Sequence, residues 1–562
     1  MVGRLFAVFA LISTLVANTS EQFLFNLNEL SDSGLSQIKL SLHSLNVNNS
    51  DGESLESFHE VLPNSIVRII LTDIPVQANF VVLQVHSYLE NVTLSHDELA
   101  IHQNSVTGTN IGLTKMTSKV ATAETFYLTY IGTSEKADVM LAVQAYGTNF
   151  PVPGGCNLEF QVEISPFLQT IYTDVYTEVD FAPAAPPHQV IADFNLSKTD
   201  ECNLKPSHIS YEVHYQYFPQ MDFSKETYFK MISSMMTVGR IRNHSSIAKE
   251  KLFSVKTRRL FASYPRIGRV FSVTAQYSDY SVSYVPSVTY GCNPKDNMSC
   301  EILMSTPQKV LCISVMLLGL FVCFFGHYFF RIEFFLFGFF ISGLTTYILV
   351  WIILGPTMAL SVSIGIGFFA AGSILLAWGI CQVVLVSFLF ATLGLGFLFA
   401  SIIVNPLLDV VDVLVFDVNY WGVFIGITLA CPILMLSLSH KGNAISCSII
   451  GSYAAVAAAD FFVNSNLRFI VLNTIRRAIS EKFRLALIAL PFQQKDWLLV
   501  MGWCLLSAAG GGIQYLLIDC TRHVSRSRNF SSGPSWRRYR RVPNERTPLI
   551  KRINGKQFLL KI

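Results

Sequence analysis

The run Gln382–Val404 reads QVVLVSFLFATLGLGFLFASIIV and holds no acidic, basic or histidine side chain. At about 1.5 Å of rise per helical residue, a run of roughly 20 residues crosses a hydrocarbon core of about 30 Å. Lipid offers no hydrogen bonds to a bare backbone, so such a run must be a helix. Six more runs share this character: Val310–Phe330, Ile332–Leu354, Thr357–Trp378, Tyr420–Leu438, Asn443–Val463 and Leu498–Ile518. Trp378–Gln382 is the expected turn between the third and fourth. The expectation is a seven-helix transmembrane bundle over residues 307–518.

The rest of the 562-residue chain has a different texture. Only 14% of all residues are charged, against about 25% in soluble proteins. The deficit is concentrated in the bundle. The net charge of +3 matters less than its distribution, because the basic residues crowd the C-terminal tail, 519–562.

Met1–Ala17 carries Arg4 and then the apolar run Leu5–Val16. This is the pattern of a secretory signal over residues 1–17, too short for an eighth span. Residues 18–306 should then be lumenal or extracellular, and they read as β structure. Leu158, Phe160, Val162 and Ile164 alternate with polar residues, as do Val175–Phe181 and Tyr211–Tyr217. A period of two places one face on a core and the other in water. Asn79–Leu94 and Thr125–Tyr146 look like further strand pairs. One helix interrupts, from Ser224, which can cap it, to about Val238, with Phe229, Ile232 and Met236 on one face. The length suits two β-sandwich-like domains, 18–165 and 166–306, although the Pro-rich stretch Ala182–Pro187 is another possible break. The expected fold is therefore an all-β ectodomain followed by a seven-helix membrane bundle.

Cys156, Cys202, Cys292 and Cys300 are the ectodomain cysteines. An even count in an oxidising compartment suggests two disulfides, with three possible pairings. The short Cys292–Cys300 loop favours that pair and leaves Cys156 with Cys202. Zinc is disfavoured by the spacings. Acceptor motifs for N-glycosylation stand at Asn48, Asn91, Asn195, Asn243 and Asn297. Asn529 also matches, but it falls in the tail and is expected bare.

An outside N-terminus and seven spans put the tail in the cytoplasm, where its arginines belong. The connection Asn405–Asn419 contains Asp409, Asp412 and Asp417 and no Lys or Arg, which suits the outside. Asn464–Trp497 conflicts with this, because it should be outside yet holds Arg468, Arg476, Arg477, Lys482, Arg484 and Lys495. Its apolar residues recur at helical spacing, so it reads as an amphipathic helix at the membrane interface or on neighbouring helices. A re-entrant piece is the alternative.

Within the spans, Asp460 could be an ion or proton site, or a structural carboxylate bonded locally; a single acid makes a poor transport pathway. His327, Arg331 and Glu333 suggest an ion-pair cluster at the first inside turn. Gly367, Ala371, Gly396 and Ala400, with Gly365, Gly372, Gly394 and Gly510–Gly512, suggest close helix packing. The tail region Arg522–Arg541 should attract anionic lipid at about 1 kcal/mol per basic residue. Lipid is a simpler partner there than nucleic acid. Glu545, Leu549 and Ile550 fit an acidic di-leucine signal read by a sorting adaptor.

No nucleophile elbow, zinc-protease motif or phosphate loop occurs, so no catalytic residue, metal or cofactor is expected. The third span lacks an Asp/Glu-Arg-Tyr motif and the seventh lacks Asn-Pro-x-x-Tyr, which argues against a rhodopsin-type receptor. Six pieces and the Asp460 position carry a resemblance. The pieces are Pro151–Phe160 (PVPGGCNLEF), Cys323–His327 (CFFGH), Ile450–Tyr453 (IGSY), Leu472–Ala478 (LNTIRRA), Pro491–Gln493 (PFQ) and Glu545–Leu549 (ERTPL). With these the chain resembles the transmembrane 7 superfamily member 3 family. Its helical part is also similar to the domain shared with transmembrane protein 198. The resemblance implies a pro-survival factor that damps endoplasmic reticulum stress, protects from cytokine-induced death and promotes secretion such as that of insulin. It transfers no catalytic residue or ligand.

The leading expectation is a non-enzymatic, glycosylated multi-pass protein that binds an outside protein partner. The plasma membrane is its first expected location, then the endoplasmic reticulum or endolysosomal membranes. A transporter or channel using Asp460, or a seven-span receptor outside the rhodopsin class, are the alternatives.

Overall fold

The computed structural model describes residues 36–98, 105–117, 123–156, 168–187, 209–251, 256–295, 300, 306–381, 384–438 and 440–528. The expected signal, the strand Leu158–Ile164 and the tail motifs lie outside them. The chain divides into two compact units, one built mainly from residues before Asn297 and one mainly from residues after it.

The first unit begins with a sandwich. One sheet has the order β1-β3-β8-β5-β6, from Ser36–Ser41, Ile66–Thr72, Ala123–Tyr130, Val92–Ser95 and Ser105–Gly108. The other has the order β2-β9-β4-β7, from Leu55–Val61, Ala137–Tyr146, Phe80–Ser87 and Asn110–Met116. Alternation assigns the faces. Val81, Leu83 and Val85 of β4 and Val139, Leu141 and Val143 of β9 fill the sandwich core with Ile69, Leu71, Phe126 and Leu128.

Here the expectation of one wet face is corrected. Every residue of β4 is buried, and all but Asp138 in β9. The second faces of these strands meet another part of the same unit. Met140 and Ala142 join a core made with Phe218, Tyr228, Phe229, Ile232, Met235, Met236 and Tyr290. The near-continuous apolar run Phe80–Leu83 is the sequence mark of a strand covered on both sides.

That covering element is the expected helix, α1 (Lys225–Ser234), capped by Ser224. It stops earlier than expected because Thr237 caps a separate helix, α2 (Val238–His244). Around these helices runs a sheet of order β13-β12-β15-β16, from Ser246–Ala248, Ile209–Tyr217, Arg269–Tyr277 and Tyr280–Ser283, with β17 (Ser287–Thr289) also on β15. β10 (Leu168–Tyr172) and β11 (Tyr176–Phe181) form an antiparallel pair. Cys292 and Cys300 are joined in a disulfide. Cys156 is disulfide-bonded too, and Cys202 lies outside the described residues.

Among the described residues the second unit holds seven helices long and apolar enough to cross a membrane. They are α3 (Thr306–Phe325), α4 (Phe330–Leu354), α5 (Pro356–Cys381), α6 (Val384–Leu407), α7 (Asp417–Leu436), α8 (His440–Val463) and α10 (Gln494–Arg528). The short helix α9 (Phe469–Ile479) lies between the last two. α3 ends before the expected Phe330, because Gly326 turns the chain. A Cβ there would sit only 2.6 Å from the Val322 carbonyl oxygen. α5 runs into the expected turn, as far as Cys381.

α4 lies along α5, α3 along α8, α6 along α7, and α8 along α10. Small residues allow two of these approaches. A Cβ on Gly319 would lie 2.7 Å from the Ala455 backbone nitrogen, and one on Gly396 would drive into the Thr428 carbonyl. Gly365, Gly372 and Gly512, expected at helix contacts, face open space.

Candidate functional site

At one end of the bundle the polar groups of α8, α9 and α10 converge. Asp460 is fully buried. Its Oδ2 accepts the Arg468 backbone N–H at 3.1 Å and lies 3.5 Å from the Arg468 guanidinium. Phe461 and Phe469 sandwich that guanidinium, with ring centroids at 4.7 and 4.9 Å. Asp460 Oδ1 has no hydrogen-bond partner among the described residues. Asp496, also buried, accepts the Asn466 backbone N–H at 2.7 Å, the Ser465 hydroxyl, and the Gln493 N–H at 2.8 Å. The last bond closes the first turn of α10, as the third residue of a capping box does.

α9 explains the basic segment that conflicted with the topology. Its buried face sets the polar Asn473, Thr474 and Arg477 beside the apolar Phe469 and Ile470. The Asn405 amide of α6 donates to Ile470 O at 2.9 Å and Thr474 Oγ1 at 3.2 Å, and accepts from Tyr420 Oη at 3.2 Å. Arg477 donates to Leu414 O, Val415 O and Asp417 Oδ1 at 3.2, 3.1 and 2.9 Å. Its guanidinium stacks on Tyr420 at 4.1 Å. Asp417 of the 405–419 connection therefore answers Arg477 of the 464–497 segment. Arg468 and Arg477 are internal structural charges, while the rule for loop charge concerns solvated ones. Burial pulls the Arg477 guanidinium below its usual range, against the pull of Asp417.

A third tie lies in the same unit, which also takes in Lys251 and Leu260–Ser263. Leu260 and Phe261 pair in parallel with Ala486 and Leu487. Lys251 Nζ donates to Ala486 O at 2.6 Å and pairs with Asp409 at 3.2 Å. Both Asp409 oxygens accept Ile488 N–H at 3.1 Å. Burial lowers the Lys251 ammonium and raises the Asp409 carboxyl, so desolvation outweighs their mutual attraction.

At the other end, the expected His327–Arg331–Glu333 ion-pair cluster is corrected. Arg331 is exposed, while Glu333 turns inward. Both its oxygens accept from Asn443 Nδ2, at 3.0 and 3.2 Å. His327 Nδ1 lies 3.4 Å from the same nitrogen. Sequence spacing could not find Asn443, which comes from α8.

In the first unit a buried polar network crosses between the sandwich and the α1 region. His86 Nδ1 is 2.9 Å from Asn110 Oδ1, and its Nε2 is 3.2 Å from Gln84 Oε1. Gln84 donates to Gln144 at 3.0 Å, and Gln144 donates to Met236 O at 2.8 Å. Tyr228 Oη donates to Ser87 O and Asn110 Oδ1 at 3.0 and 3.1 Å. Burial depresses the His86 imidazole to about 4. Asn48, Asn91 and Asn243 are exposed; Asn195, Asn297 and Asn529 lie outside the described residues.

Paired β-sheets followed by seven membrane-length helices define a multi-pass membrane protein with an immunoglobulin-like ectodomain. Three family models match in succession. They are the TM7SF3-like N-terminal immunoglobulin-like domain over 32–146, the TM7SF3-like second immunoglobulin-like domain over 151–295, and the TM7S3/TM198-like domain over 312–515. Transmembrane 7 superfamily member 3 of Homo sapiens is 29% identical over 452 residues, 79% of each chain. The Mus musculus protein of that name is 29% identical over 455 residues, 79% of this chain and 80% of its own. The chain belongs to the transmembrane 7 superfamily member 3 family.

Proposed function

We propose that this protein is a non-enzymatic, glycosylated membrane protein whose immunoglobulin-like pair binds a lumenal or extracellular protein. The observation that carries the reading is the core shared by Met140 and Ala142 with the α1 region. It makes the pair one stiff body, and a pre-ordered surface loses less entropy on binding. The N-terminus lies outside and the tail in the cytoplasm, where its arginines meet anionic lipid and Glu545, Leu549 and Ile550 meet a sorting adaptor. Cys156 pairs with Cys202, and sugars sit on Asn48, Asn91, Asn195, Asn243 and Asn297. The family resemblance supports a survival role at the plasma membrane or along the secretory route, by damping endoplasmic reticulum stress.

A photo-crosslinking residue at Phe58, which is 62% exposed on β2, tests the binding role in the full-length protein on intact cells. A discrete protein adduct that fades when Lys230, which lines the same surface hollow as Phe58, is replaced by Glu supports it. Reaction with lipid or solvent alone overturns it at this face. The transporter reading is favoured by one observation, the unpartnered Asp460 Oδ1. It requires that Asp460→Asn abolish a flux in proteoliposomes; Arg468, facing the same carboxylate, weighs against it.

A further inference from the structure

Glu333 is a buried carboxyl with neutral surroundings. Its side chain is 1% exposed and meets Cys447, which shares an apolar cluster with Val322, Phe337 and Ala391. Its ionisable neighbours come from α4 itself and the elements around it; of these, α9 commits Arg476 to Ser263 O and Arg477 to Asp417. The α3–α4 turn offers His327. α8 offers Cys447, whose thiol lies against the carboxyl. α5 and α6 contain no acidic, basic or histidine residue at all. Arg331, on its own helix, is exposed at the turn. Lys441 of α8 sits over the Tyr515 ring at 5.3 Å. Among the described residues Glu333 forms no ion pair.

The hydrogen bonds point the same way. The Asn443 amide nitrogen reaches both Glu333 oxygens, and His327 Nδ1 faces that nitrogen as an acceptor, which makes this ring nitrogen proton-free. The Asn443 amide oxygen, in a side chain 3% exposed, has no donor among the described residues. The cluster is therefore short of donors. A carboxylate would deepen that shortage and bury an uncompensated charge in the membrane interior. A carboxylic acid adds one O–H donor to the cluster.

We propose that Glu333, with Asn443 as its positioning partner, is a proton-binding site inside the bundle, distinct from Asp460. The occupant is a proton taken from the side of the membrane that the α3–α4 turn faces. The bundle then has two states, one with the acid and one with the carboxylate.

The test uses full-length protein in lipid nanodiscs. Dicyclohexylcarbodiimide, which attacks carboxylic acids in apolar surroundings, is applied across neutral to alkaline pH, and peptides are read by mass spectrometry. Adduct on Glu333 that is lost as the pH rises supports the site. Adduct that does not change with pH overturns it. The infrared spectrum decides where reagent access fails. Wild type should show a carboxylic-acid carbonyl band at neutral pH that Glu333→Gln removes, and Asn443→Ala should shift that band. A carboxylate band at Glu333 in neutral buffer, including one held by sodium or potassium, overturns the proposal. His327→Gln should leave the acid band in place; its loss would mean that the ring, and not the proton, balances the site.

Discussion

Acid should loosen the junction inside the ectodomain, and His86 sets the amount. Its imidazole is depressed from 6.5 to about 4. Burial is the largest cause; the Asn110 bond and the Glu56 charge oppose it and lose. The unfolded chain therefore binds this proton more readily than the folded one between those two values. The stabilising contribution is fully present above about 6.5 and is lost as the pH falls toward 4. Each tenfold difference in proton affinity between the two states is worth about 1.36 kcal/mol. Lowering the pH from about 7.4 to about 4.5 then removes about 2.5 kcal/mol, roughly a 70-fold change in the opening equilibrium. Hydrogen exchange on the full-length protein in detergent reads this directly, at β4 and β9 and across α1. His86→Gln keeps a polar side chain but cannot titrate, so its protection should depend far less on pH. Equal pH dependence in the two proteins, or stronger protection of wild type in acid, would refute the reasoning.

Arg468→Ala should lower bundle stability by about 3–5 kcal/mol, because it strands the buried Asp460 carboxylate. Adding Asp460→Asn should restore most of the loss in thermal unfolding. Arg477→Lys should cost about 1–3 kcal/mol, since one ammonium cannot serve Leu414 O, Val415 O and Asp417 while stacking on Tyr420; circular dichroism on heating will show it. Gly396→Leu should reduce the yield of monodisperse protein through its collision with the Thr428 carbonyl, whereas Gly512→Leu, facing open space, should leave it unchanged in size-exclusion chromatography.

Length and apolarity made the seven spans legible, because a bilayer imposes both on every crossing helix. Period-two alternation revealed β11 and β12, and Ser224 with Phe229, Ile232 and Met236 revealed α1. The sharing of a core between the sandwich and α1 was less legible. It depends on residues such as Met140 and Met236, far apart in the chain, whose local pattern fits a single sandwich equally well. Arg477 shows the same limit. In sequence it is a lumenal charge on an amphipathic stripe, and only the arrival of α7 supplies Asp417 and Tyr420. Glu333 looked like an ion-pair partner of its neighbours in sequence, yet helix geometry points it at α8, where Asn443 waits, and leaves Arg331 outside.

The central claim is that an immunoglobulin-like pair outside the cell, or within the lumen, is carried by a seven-helix bundle whose basic tail faces the cytosol. Protease and glycosidase treatment of sealed vesicles bearing a tag after Ile562 tests it most directly. The account predicts enzyme-sensitive sugars on Asn48, Asn91 and Asn243 when the ectodomain face is exposed, with the tag protected from the same side. A tag digested from the side that carries the sugars would contradict it.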